Sequence, residues 1–169
     1  TRYISWLKGM VHGDLGRSIA TRTPVIDLID WRFENTLFLA GASALMAVPL
    51  SLFLGVLAAL YRNTWLDKAI STITLATISF PEFFIAYILI ALFAVKIVIF
   101  PAISEIDTDM TLVEKLYNIM LPCITMTMVV TAHMMRQTRA AIINILSSAY
   151  IETAWLKGMS RMRVIVVHA

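Results

Sequence analysis

The chain has 169 residues, 59% of them hydrophobic and 15% charged, and a formal net charge of +3. A soluble domain carries about 25% charged residues, so this balance makes lipid part of the solvent and excludes an ordinary water-soluble core. The small positive charge comes without a basic stripe, which argues against a nucleic-acid binder; one cysteine, Cys123, permits no internal disulfide.

In chain order, residues 1–35 form a mixed amphipathic segment punctuated by Gly13, Gly16 and Pro24. Within it, "PVIDLIDWRF" sets Val25, Leu28, Ile29 and Phe33 at helical spacing, with Asp27, Asp30 and Arg32 on other faces. This predicts an interfacial helix leading into a first span. A bilayer crossing needs about 20 mostly apolar residues, and residues 36–60, "TLFLAGASALMAVPLSLFLGVLAAL", supply one without any charge. Gly41, Pro49 and Gly55 would weaken a soluble helix but are tolerated in lipid. Residues 61–68, "YRNTWLDK", form a tight polar turn.

A second span is predicted over 69–95. It carries one acid, Glu82, beside Pro81 near its middle. An ionisable residue inside a span is costly and is a functional candidate by default, so Glu82 either faces a solute path or sits near a span end or against a neighbouring helix. Pro81 predicts a kink there. Residues 96–117 make a longer acidic loop, in which Asp109 or Thr111 caps a short helix ending near Tyr117. The third span, 118–139, contains His133 and runs into "RQTRAAIINIL", so its helix continues past the membrane surface. His12, His133 and His168 are too far apart in sequence for a metal-ligand spacing. The methionines of the third span read as adaptable packing.

Residues 140–169 change character. Tyr150, Ile151, Ala154, Trp155 and Gly158 fall on one helical face, with Glu152 off that stripe. Gly158 suits a helix C-cap and Ser160 the N-cap of a second short helix. Two short helices at a sharp angle suit either docking into a groove on a partner or lying on the membrane surface ahead of a further span. Three spans put the N-terminal segment and the acidic loop on one side and the short turn and C-terminal stretch on the other. The 14 basic residues divide evenly between the two sides, so the positive-inside rule does not orient the chain. The start at Thr1 without methionine and the end at Ala169 inside an apolar run suggest a piece of a longer polypeptide.

"ETAWLKG", then nine residues, then "HA" resembles the EAA loop of permease subunits from bacterial binding-protein-dependent ABC importers. Glu152, Ala154 and Gly158 match that pattern. Thr153 replaces its first alanine and His168 its apolar position, the form typical of the peptide/nickel branch. "GDLGRSIATRTPVIDLIDWRFENTLFLA" resembles the segment leading into that branch's second span, and "ISFPEFFIAYILIALFAV" its third.

The resemblance implies an all-α polytopic transmembrane bundle of the type I importer permease fold. This chain would hold spans two to four of about six, plus the cytoplasmic coupling helices. It implies a multi-pass protein of the bacterial inner membrane, with residues 1–35 and 96–117 extracytoplasmic and 140–169 cytoplasmic. Implied partners are two cytoplasmic ATPase subunits, a second, paralogous permease and an extracytoplasmic solute-binding protein. Tyr150, Ile151, Glu152, Ala154, Trp155 and Gly158 would form the ATPase-coupling surface.

The chain contains no G-x-x-x-x-G-K-[ST] phosphate loop. ATP and Mg are therefore expected on the partner subunits, no cofactor on this chain, and no enzymatic activity of its own. The expected cargo is a di- or oligopeptide, or nickel. Two other readings stand beside this one: a membrane anchor without a pore, and a proton-coupled carrier built on Glu82 and His133.

Overall fold

The computed structural model describes residues 2–107, 109–148 and 151. It divides the chain into two units, Thr1–Gly41 and Ala42–Ala169. Among the described residues every regular element is helical, apart from a single antiparallel bridge between Arg17 and Pro24. The expected all-α class is met.

In the first unit, α1 (Arg2–Val11) is stopped by Gly13 at φ +84°. The Asp14 amide turns back to the Gly9 carbonyl at 2.9 Å. Gly16, at φ +79°, donates its amide to Asp14 Oδ1 at 2.9 Å, a turn that a side chain at that position would strain. The Val25 amide then bonds the Gly16 carbonyl, and α2 (Val25–Leu60) begins. The interfacial helix and the first span are one uninterrupted 36-residue helix, because no glycine or proline falls between Val25 and Ala40 to end it.

In the second unit the buried face of α2 is a ladder of small residues. Ser43, Ala47, Ser51, Gly55 and Ala59 recur every fourth position and all are buried. In lipid, apolar bulk does not hold helices together; small residues that let backbones approach do. Pro49 leaves α2 one amide short, and the Ser51 hydroxyl bonds the Val48 carbonyl at 2.9 Å beside that gap.

The polar turn is shorter than 61–68. It closes at Thr64, and α3 runs Trp65–Ser79, taking Asp67 and Lys68 into its first turn. Proline disfavours the helical region at the residue before it; Phe80 is accordingly extended, and α3 stops. Pro81 then opens α4 (Glu82–Leu89), which passes into a π-helical turn, Ile90–Lys96. The second predicted span is thus two helices meeting at 102° rather than one kinked rod.

α5 (Leu112–Asn118) begins on Thr111, as expected for one of the two candidate caps. Glu114 accepts from both the amide and the hydroxyl of Thr111 at 2.8 Å, and the Glu114 amide returns to the Thr111 hydroxyl at 3.4 Å. The Thr111 amide and hydroxyl hold the Glu114 carboxyl below the usual carboxylate range. After the buried Ile119 the axis turns by 63° into α6 (Met120–Leu146). Among the described residues one helix, α2, is long and apolar enough to cross a bilayer alone, and each bent pair qualifies when counted as one span.

Helix α6 organises the unit, with α3 and α4 packed on it. Against α2 it places Cys123 Sγ 3.5 Å from the Ser43 hydroxyl and 3.7 Å from Met46 Sδ. Gly55 faces Met135 and Thr138, and Ala59 packs with Ile142 among Val56, Leu60, Ile143 and Leu146.

Candidate functional site

The expected coupling surface follows directly from α6. Of its residues, Tyr150, Glu152, Ala154, Trp155 and Gly158 lie outside the described residues. Ile151 is described. Its side chain is fully buried against Ile145 and Leu146 of α6, and its amide bonds the Ser148 carbonyl at 3.1 Å. Ile151, expected on the coupling surface, thus has its side chain packed on α6 of its own chain.

Two helical turns before the end of α6, Arg139 reaches across to α3. Its Nε meets Asp67 Oδ1 at 2.7 Å and its Nη2 meets Asp67 Oδ2 at 2.8 Å. The two side chains are 28% and 5% exposed. The same carboxylate accepts the Asn63 amide at 3.0 Å and the Ser71 hydroxyl at 3.3 Å, so four donors converge on it. Asn63 sits at φ +66°, a conformation asparagine tolerates better than most residues, and this aims its amide at Asp67. A paired, parallel fork of this kind carries direction as well as charge.

The residue patterns had not singled out this pair. By sequence Asp67 falls in the polar turn 61–68 and Arg139 is counted only among the 14 basic residues. A signal was present: Asp67 is the sole acid in 61–68, and three crossings put that turn on the same side of the membrane as Arg136 and Arg139.

The remaining candidates are not brought together. Glu82 is exposed in the first turn of α4, at the corner after Pro81, not midway along a straight helix. His133 is exposed on α6, where it lines a shallow depression with Arg136, Gln137 and Ala140. Among the described residues no group of three or more His, Cys, Asp or Glu side chains is placed to hold a metal ion.

Residues 51–169 match the family described as "Binding-protein-dependent transport system inner membrane component". Along 163 residues, 96% of this chain, it is 36% identical to the glutathione transport system permease protein GsiC of Escherichia coli O6:H1. It is 35% identical to GsiC of Escherichia coli K12 and 34% identical to that of Shigella boydii serotype 4 over the same length. The chain spans about half the length of these curated relatives, 51% of each. These matches agree with the resemblance carried by the EAA-type stretch: the chain belongs to the binding-protein-dependent importer permeases, in their peptide/nickel branch.

Proposed function

We propose that this chain is the central part of a permease subunit that moves a small peptide across the bacterial inner membrane, driven by ATP hydrolysed on partner subunits. The observation that carries the reading is the match of nearly the whole chain to GsiC, a glutathione transport permease. The membrane-length helix α2 and the EAA-type sequence of residues 152–169 support it. Glutathione and short peptides are the favoured cargo, because the similar permeases are named for glutathione transport.

In this reading two permeases line a path that opens alternately to either side, and a solute-binding protein delivers the cargo. The ATPases act through the stretch containing Tyr150, Ile151, Glu152, Ala154, Trp155 and Gly158. ATP and Mg stay on the ATPases. Glu82, exposed at the corner between α3 and α4, offers a carboxylate to the ammonium group of a passing peptide.

The test is uptake by the full-length subunit assembled with its second permease, ATPases and binding protein in proteoliposomes. ATP-dependent accumulation of labelled glutathione or a dipeptide supports the reading. Uptake that follows a proton gradient without ATP, and is lost in Glu82→Gln or His133→Gln, favours the carrier reading instead. A complex that binds the ATPases but moves no solute favours an anchor.

A further inference from the structure

We infer that Asp67 and Arg139 are positioning residues for the transport cycle, a clamp that makes the α2–α3 turn follow the end of α6 as one body. The inference rests on the importer reading above.

Distance supports it first. From Arg139 to the end of α6 at Leu146 is roughly 10 Å of helix, and Ile151 is packed onto that end. A movement of the end of α6 thus arrives close to the fork. Directionality supports it next. Other contacts joining α6 to α2 and α3 here include Gly55 against Thr138, Ala59 against Ile142, and the Thr74 hydroxyl 4.0 Å from Met135 Sδ. Packed surfaces of that kind are non-directional, whereas the fork is directional. Two parallel bonds of 2.7 and 2.8 Å lose their geometry on a shift of about 1 Å.

The far end of the fork is anchored as well. Asp67 is bound to the turn through the Asn63 amide and to the next turn of α3 through Ser71. A displacement of Arg139 is therefore handed to the backbone of the turn and not lost in a side-chain rotation. Stability alone is a poor reason for such a pair, because buried ion pairs are often replaced by apolar groups at no loss. Register is what apolar groups could not provide.

The test uses the full-length subunit in the assembled complex, in a Cys123→Ser background. Asp67→Asn removes the charge at constant shape. Arg139→Lys keeps the charge and removes the fork. Asp67→Cys with Arg139→Cys, joined by a short bifunctional thiol reagent, replaces the fork by a covalent link. The quantity read is solute moved per ATP hydrolysed, which a mere loss of folded complex does not change.

The expected result is a fall of at least about fivefold in Asp67→Asn and Arg139→Lys, the lower end of ordinary coupling between sites, with the cross-linked pair returning to the wild-type ratio. An unchanged ratio in both single variants overturns the clamp. So does a cross-linked pair that stops transport, since the fork would then have to open in each cycle. A wild-type complex without ATP-driven uptake overturns the importer reading itself, and the clamp's role with it. Should Asp67→Asn fail to assemble, Arg139→Lys and the cross-linked pair decide the matter.

Discussion

Gly55 of α2 lies so close to Thr138 of α6 that a methyl group on it would stand 2.7 Å from Thr138 Cβ, 2.8 Å from Thr138 Cγ2 and 3.1 Å from the Met135 carbonyl. The atoms in the way are the stem of a β-branched side chain and a main-chain oxygen, neither of which can swing aside. Gly55→Ala is therefore expected to force α2 and α6 apart, at about 1–3 kcal/mol. Gly41 of the same helix has open space where its Cβ would be. Gly41→Ala is expected to be neutral or to stabilise by up to about 1 kcal/mol. Thermal unfolding of the two variants in detergent micelles, side by side, checks the contrast.

Val98 sits at φ +56° just after the π-helical turn, where the Ile99 and Phe100 amides both fold back onto the Phe93 carbonyl at 2.8 and 3.2 Å. A β-branched residue pays for the left-handed region, and its side chain is 74% exposed, so little packing offsets that cost. Val98→Asn or Val98→Gly is expected to stabilise the subunit by about 1 kcal/mol. A lowered melting temperature in both variants would show that the valine side chain is needed for a contact outside this chain.

The cap of α5 gives a pH dependence of known sign. Glu114 is held below the usual carboxylate range by the Thr111 amide and hydroxyl. Its contribution is therefore complete above the value of an unfolded glutamate and is lost as pH falls through its lower folded value. Hydrogen exchange at the Glu114 and Lys115 amides, corrected for intrinsic rates, should show α5 loosening only on that acidic side. Glu114→Gln, which keeps the acceptor but does not titrate, should flatten the profile.

Ile151 is a buried anchor, packed on Ile145 and Leu146. Ile151→Ala is expected to lower stability by about 2–4 kcal/mol, and Ile151→Val by about 1 kcal/mol. ATPase binding should weaken in that same order, although the side chain faces its own helix. Equal binding in wild type and both variants would mean that this contact has no part in the ATPase coupling proposed above. Co-purification of the ATPases with each variant reads the difference.

The residue pattern alone determined the helical class, the apolar run of 36–60, a bend at Pro81, a cap at Asp109 or Thr111 and the family-type stretch around Glu152 and Gly158. Each is a local property: hydrophobic length, a missing amide, a side chain that bonds its own backbone three residues on, a motif read in order. The Ser43-Ala47-Ser51-Gly55-Ala59 ladder was equally written in the chain, and its four-residue period was legible without coordinates. What only the tertiary structure decided is which helix meets that ladder, that Ile151 turns inward, and that Asp67 finds Arg139 across 72 residues. Pairings of this kind depend on how α2, α3 and α6 are rotated about their axes. Composition does not set that rotation; close packing at Gly55 and the aim of one guanidinium do.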